Sequence, residues 1–356
     1  MIILLETLGT EQLQMAVTSS ARVQHAQRVE FLRQNADRLV IDGDVHPTDR
    51  KTLPAAVRQR IESDANYYHG RPLLTENLFA RMEQAGIDMA LCWQNPAVLQ
   101  YGDDQKQNAE LLTAANQQIA ALAREHPERV IPAGWTDPKA LGVDAAIALA
   151  RRCVEEFGMP VVKMNPAQNQ YPIDSDEVAQ VVDVIVGLGA VPAFHFGSDT
   201  PFTPAEGLAR IAKRNPDSPV IGVHMGGGGG NFVDAEPTYQ AARQIGLENP
   251  NIFFVLSAKR DVHIESALIT YANAGRPFSR NLGAGSDAPY ADMVFSYGAF
   301  RALFAALGDG QTYGDPRLAA KPDLFDEEMV SGFMGGNLAR LIADASERIL
   351  SRSDNQ

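Results

Sequence analysis

The sequence predicts an α/β fold, a closed (β/α)8 TIM barrel with an N-terminal helical extension. Three observations predict it. Short apolar runs that read as strands alternate with stretches of helical period, and such alternation implies a parallel sheet. Eight of these runs can be counted, which favours closure into a barrel over an open, doubly wound sheet. Four of them end in side chains that bind metals: Asp44-Val45-His46, Phe194-His195-Phe196-Gly197, Val223-His224-Met225-Gly226 and Gly285-Ser286-Asp287-Ala288. In a closed barrel the strand C-termini converge on one face, and chemistry sits there.

Residues 1–38 carry no strand signal. Leu13, Val17, Val23, Ala26, Phe31 and Leu32 stand among polar positions, so this segment is expected to be a helical extension that caps the barrel or contacts a partner subunit. The barrel is expected over residues 39–350. Its strands are expected at Leu39–Asp44, Met89–Trp93, Val130–Trp135, Pro160–Met164, Val191–Phe194, Pro219–Val223, Ile252–Leu256 and Leu282–Gly285. Between the second and third, Leu111, Ala115, Ile119 and Leu122 recur on one helical face. Between the fourth and fifth, Asp174 and Glu177 read as a capping pair before an apolar stripe of Val178, Val181, Val182 and Ile185. Two stretches break the rhythm: a polar insertion at 47–74 and a Gly/Pro/Asp-rich loop at 307–325. Long loops in compact domains are often lids or binding loops, and both are expected to overhang the catalytic face.

Composition narrows the function classes. The 356 residues carry a formal charge of −13, which disfavours binding to a phosphate backbone. No stretch is long and apolar enough to span a bilayer. The apolar start Met1-Ile2-Ile3-Leu4-Leu5 runs into Glu6 with no basic segment before it, so it does not read as a secretory signal. The only two cysteines, Cys92 and Cys153, lie in apolar segments and are expected as buried free thiols in a reducing compartment. The expectation is a cytoplasmic protein, a homo-oligomer (a dimer), that acts on a small molecule and binds neither nucleic acid nor membrane.

Asp44 and His46 lie one residue apart, so on an extended strand both side chains point to one side and can serve one ion. Carboxylate and imidazole together suit zinc or manganese. A strand-end His is more often structural than a ligand, and His195 gains rank only from its place in the ring of strand ends. His224 reads as a ligand or as an acid/base beside the metal. Glycines 226–230 after it read first as close backbone packing and second as an anion cradle. Asp287 reads as a ligand that also takes a proton from bound water, or as a helix N-cap ahead of Ala288-Pro289. Lys163 reads as a substrate-facing cation or, less readily, as a carboxylated bridge between two metals.

These motifs resemble the amidohydrolase superfamily, in the amidohydrolase-related branch that also holds the carboxymuconate-semialdehyde and resorcylate decarboxylases. The matching pieces are Ile41-Asp42-Gly43-Asp44-Val45-His46, the segments around His195, His224 and Asp287, and Phe333-Met334-Gly335-Gly336-Asn337-Leu338-Ala339-Arg340-Leu341. The resemblance implies one divalent metal, zinc first and manganese second, held by Asp44, His46, His195 and Asp287, with His224 catalytic. Many members carry His-x-His at the first strand and some decarboxylases Glu-x-His, so Asp44 departs from both patterns and is short enough to act through a metal-bound water. Three functions are open. The first is a hydrolase of a small, carboxylated amide or lactone, in which the metal lowers the pKa of its bound water toward about 7, Asp287 acts as base and His224 steadies the oxyanion. The second is a non-oxidative decarboxylase of an aromatic or unsaturated acid. The third, a metal-free binding protein, sits poorly with an intact His195, His224 and Asp287 set. For the substrate itself, Arg71, Lys163 and Arg260 are candidate cations, and Tyr67 and Trp93 are candidate stacking rings. The wider superfamily tilts the reading toward hydrolysis.

Overall fold

The structure is a computed structural model that describes residues 10–53, 55, 58–59, 73–99, 101–197, 200–227, 236–258, 261–312 and 322–353. Nine strand segments, all parallel, pair in chain order: β1 (Ile41–Val45), β2 (Met89–Cys92), β3 (Val130–Pro132), β4 (Gly134–Trp135), β5 (Val161–Met164), β6 (Val191–His195), β7 (Val220–Val223), β8 (Ile252–Leu256) and β9 (Leu282–Ala284). Every strand residue is buried, as runs of Val, Ile, Leu and Phe require when both faces of a parallel sheet are covered. Segments β3 and β4 are two halves of the expected third strand. Their break falls at Ala133, whose N–H still donates to the Cys92 carbonyl at 3.0 Å. The ring closes just beyond β9, where Asp287 N–H donates to the Asp44 carbonyl and His46 N–H to the Ala288 carbonyl, both at 2.8 Å. The result is the eight-stranded barrel.

Fourteen α-helices are described: α1 (Thr10–Asn35), α2 (Thr75–Ala85), α3 (Gln105–Glu125), α4 (Pro138–Leu141), α5 (Val143–Glu155), α6 (Pro166–Asn169), α7 (Asp176–Gly187), α8 (Ala205–Arg214), α9 (Glu236–Glu248), α10 (Asp261–Ala274), α11 (Arg276–Ser279), α12 (Met293–Gly308), α13 (Glu327–Ser331) and α14 (Asn337–Ser353). The longer ones return the chain from one strand to the next. Among the described residues no helix is long and apolar enough to cross a membrane. Cys92 and Cys153 are free and buried, and burial pushes both thiols up, out of reactive range.

The extension α1 lies outside the barrel along α14. Its inward side is Ala21, His25, Arg28, Leu32 and Asn35, continued by Ala36 just past its end, whereas Val23 and Ala26 point to solvent. Of the apolar residues noted for this segment Leu32 is fully buried, and the polar His25 and Arg28 are buried beside it. His25 Nδ1 lies 3.2 Å from Ser346 Oγ, and Arg28 donates to the Gly158 carbonyl at 3.1 Å. Outside this seam Arg33 pairs with Asp344 and with Glu347 at 2.9 Å.

In α3, Ile119 and Leu122 of the expected face are buried, but Leu111 is 44 % exposed, and the rest of the buried face is Asn108, Leu112, Asn116, Ala120 and Ala123. Asn116 explains both this offset and the split third strand. Its Nδ2 donates to the Trp135 carbonyl at 2.8 Å, and its Oδ1 accepts from Trp135 N–H at 2.9 Å, standing in for a strand neighbour. Asn116→Ala should destabilise the protein by about 1–3 kcal/mol, because two buried backbone groups lose their partner. Urea unfolding measures this, and a loss below about 0.5 kcal/mol would remove Asn116 from that role.

Other expectations need correction. The cap of α7 is Ser175, whose Oγ accepts from Val178 N–H at 3.3 Å, while Asp174 pairs with Arg210 at 2.5 Å. Most of the loop expected at 307–325 (residues 313–321) lies outside the described residues. Its described end leads into α13, where Asp326 and Glu328 pair with Arg276 and Arg280 ahead of β9, at the end of the barrel opposite the strand C-termini. The glycines of the 333–341 motif serve close packing there: a Cβ on Gly335 would lie 2.2 Å from the Leu39 carbonyl oxygen.

Candidate metal and acid–base site

The barrel brings Asp44 from β1 and His46 from just after it, Lys163 from β5, His195 from β6, and His224, Ser257 and Asp287 from the residues after β7, β8 and β9 to one end, all buried. Three of these turns hold non-glycine residues in left-handed backbone: His224 (φ 78°) and Met225 (φ 44°), Ala258 (φ 50°), and Asp287 (φ 63°). Such conformations cost about 1–3 kcal/mol each and persist where the surroundings impose them, commonly at functional sites. The N-cap reading of Asp287 fails, since α12 begins at Met293 and is capped by Asp292.

His46 is oriented from both ends. Its Nδ1 lies 2.8 Å from the Gln94 carbonyl oxygen, which can only accept, so Nδ1 carries the hydrogen. The other nitrogen, Nε2, lies 3.3 Å from Asp44 Oδ1 and 3.5 Å from Asp287 Oδ1. With Nδ1 protonated, these three atoms are held together by a proton on Nε2 in the metal-free protein, or by a cation that replaces it. Donors at about 2.1 Å from one ion lie roughly 3.0–3.4 Å apart, so the spacing and the donor chemistry both fit a single divalent metal. Asp44, His224 and Asp287 also each offer a ligand atom within 4.8 Å of the others. His195 packs edge-on against His224 with ring centroids 4.4 Å apart.

Electrostatics divide the carboxylates. Burial opposes ionisation of Asp44, but Lys163, His46 and His224 outweigh it and hold the carboxyl well below its usual value. Lys163 Nζ lies 3.3 Å from Asp44 Oδ1 and sits over the rings of Trp93 (4.7 Å) and Trp135 (5.1 Å). For Asp287, burial and then the charge of Asp44 push the carboxyl up to about 6. His46 is lowered by burial but raised more by Asp287 and Asp44, and ends above its ordinary value. Asp42, pushed up to about 7 by burial, braces β1 against β9: its Oδ1 accepts from Ser286 N–H at 2.8 Å and Asp44 N–H at 3.2 Å.

Six of the predicted residues therefore meet at this end: Asp44, His46, Lys163, His195, His224 and Asp287. Trp93 joins them from beneath Lys163. Lys163 and Trp93 are fully buried, so both form the floor of the site. Tyr67, Arg71 and Arg260 lie outside the described residues. Sequence reasoning missed Ser257, Trp135, the Gln94 carbonyl and Tyr290, whose ring meets His46 edge-on at 5.7 Å and whose hydroxyl donates to Asn95 at 2.9 Å. Position alone, directly after the apolar run Ile252–Leu256, could have flagged Ser257.

No curated protein matches this chain. Among solved structures, an uncharacterised TIM-barrel protein from Bordetella bronchiseptica superposes with a TM-score of 0.60 at 17% identity, covering 86% of this chain and 99% of that one. A 5-carboxyvanillate decarboxylase from Sphingomonas paucimobilis gives 0.59 at 15% identity, with 85% and 98% covered. A dihydroxybenzoic acid decarboxylase from a Polaromonas species, solved with manganese and 2-nitroresorcinol, gives 0.55 at 16% identity, with 85% and 96% covered. At these identities the likeness establishes the fold. A family model for amidohydrolases matches residues 41–341, from the first strand to the motif that opens α14. The chain belongs to the amidohydrolase family.

Proposed function

We propose that this chain is a divalent-metal-dependent, non-oxidative decarboxylase of a hydroxylated aromatic or unsaturated carboxylic acid. The observation that carries the reading is the convergence of donor atoms on one point, with His46 Nε2 3.3 Å from Asp44 Oδ1 and 3.5 Å from Asp287 Oδ1. Lys163 Nζ is engaged by Asp44 and faces two indole rings, so we take it as a partner of Asp44 and not as a bridge between two ions. The site is then a one-ion site flanked by two buried groups able to carry a proton, Asp287 and His224. The decarboxylases among the solved structures of this fold support the same reading.

In this proposal Asp44, His46, His195 and Asp287 hold the ion, and residues 39–350 form the unit that carries the site. Manganese ranks ahead of zinc, because two carboxylates harden the donor set and one solved relative holds manganese. When bound, the ion would anchor the substrate carboxylate and an adjacent oxygen and offset their charge. The Gln94 carbonyl fixes His46, and Lys163 keeps Asp44 ionised. The reaction adds one proton to the ring carbon. The electron pair of the carbon–carboxylate bond then returns to the ring, and CO2 leaves. Asp287 and His224 are the groups placed to move that proton, a contribution of about 10²–10⁴-fold for a positioned acid or base.

Hydrolysis is the second reading. The raised carboxyl of Asp287, near 6, suits a base that takes a proton from water at neutral pH. A panel of hydroxybenzoates and small carboxylated lactones, offered to manganese-loaded enzyme in D2O and in ¹⁸O-labelled water, separates the two. The expected result is CO2 release with one deuterium at the vacated carbon and no ¹⁸O in the organic product. Turnover of a lactone or amide with ¹⁸O in the product and no CO2 would overturn the decarboxylase reading.

A further inference from the structure

Ser257 stands directly after β8, at a strand end with no imidazole or carboxylate of its own, and it is buried. Its Oγ lies 2.7 Å from Asp44 Oδ2 and 3.0 Å from His224 Nδ1. A carboxylate oxygen accepts, so the single hydroxyl hydrogen of Ser257 goes to Asp44. Ser257 Oγ is then an acceptor toward His224, whose Nδ1 must carry the hydrogen. The Ser257 carbonyl, 3.4 Å from the same nitrogen, also can only accept and demands the same tautomer. The proton order therefore runs from His224 through Ser257 to Asp44. Space is closed around it: a Cβ on Gly285 would lie 3.1 Å from the Ser257 Cβ and 2.6 Å from Val255.

We propose that Ser257 is the positioning residue of this site, whose one hydroxyl orients Asp44 and fixes His224 with hydrogen on Nδ1 and a basic Nε2. The consequence for chemistry rests on the decarboxylase reading above. A histidine presented in this form accepts a proton before it can give one, which leaves Asp287 as the donor to carbon and gives His224 the proton of the substrate hydroxyl. The arrangement also accounts for an Asp at position 44. A carboxylate there takes the serine hydrogen on Oδ2 and the Lys163 ammonium on Oδ1, whereas a histidine offers one acceptor at most.

The test needs no substrate, so it stands or falls apart from the reaction assigned above. Selective ¹⁵N-histidine labelling of the metal-free protein, with only seven histidines to resolve, reads the tautomer of His224 directly. The expected signature is protonated Nδ1 and unprotonated Nε2. Titration with Mn²⁺ alone should then show Ser257→Ala binding about 10–100-fold more weakly than wild type, the usual penalty for losing a hydrogen bond behind a metal ligand. The His224 signals should also move toward a tautomer mixture. An Nε2–H tautomer in the wild-type protein overturns the proposal whatever the variant does, as does Mn²⁺ affinity within twofold of wild type in folded Ser257→Ala.

Discussion

Asp287→Asn is expected to lower turnover by about 10²–10⁴-fold, the range for removing a positioned acid or base, with weaker manganese binding alongside. Asn is the informative replacement. Asp287 sits at φ 63°, a conformation Asn tolerates and Ala does not, so the substitution adds no backbone strain. The bonds that hold this turn are made by its backbone. Its N–H donates to the Asp44 carbonyl at 2.8 Å, and its carbonyl accepts from Tyr290 N–H at 2.7 Å and Ala291 N–H at 3.1 Å. What the variant loses is charge and the exchangeable proton. Kinetics at saturating Mn²⁺, with metal content measured on the same sample, separate the two losses. Turnover within tenfold of wild type in the fully loaded variant would remove Asp287 from proton transfer and leave it at most a ligand.

The legible part of this molecule is its barrel. Each strand is a short apolar run buried on both faces, so Pro219–Val223 or Ile252–Leu256 could be read from residue type alone. The residues that meet at the site were legible for a related reason. One imidazole or carboxylate at the end of such a run is ordinary, but four occurrences point to one face. The helix faces were legible only in part. The stripe of α7 and Ile119 and Leu122 of α3 are buried as their period suggests, but Leu111 is exposed, and Asn116, His25 and Arg28 are buried by bonding to groups the sequence does not set beside them. The split of the third strand was invisible for the same reason, since its cause lies in α3.

Ser257 and Trp135 escaped because serine and tryptophan are ordinary residues at barrel ends. Only coordinates reveal that one hydroxyl links Asp44 to His224 and that two rings face one ammonium. Strand order does not set Lys163 beside Asp44, since β1 and β5 are not neighbours; closure of the barrel does, and Lys163 Nζ lies 3.3 Å from Asp44 Oδ1.

Lys163→Met tests that role through stability, and a loss of about 3–5 kcal/mol is expected in the metal-free protein at pH 8. Methionine fills the space between Trp93 and Trp135 but leaves the Asp44 carboxylate buried with its chief counter-charge gone. The pH dependence follows in sign. In wild type the folded pKa of Asp44 lies below its unfolded value, so its stabilising contribution is present above the unfolded pKa and lost only as pH falls through the folded one. In the variant, burial is opposed only by the remaining imidazoles, and the folded pKa should rise past the unfolded value. Asp44 then destabilises the fold at high pH, and protonation relieves it as pH falls. The deficit should therefore be largest at pH 8 and shrink toward pH 5. Saturating Mn²⁺ should stabilise the variant more than wild type, because the ion becomes the principal counter-charge that Asp44 has left. Urea unfolding at pH 5 and pH 8, with and without Mn²⁺, measures all of this. A deficit below about 1 kcal/mol at pH 8, or one that grows as pH falls, would mean that the Lys163–Asp44 pair contributes nothing to holding the site.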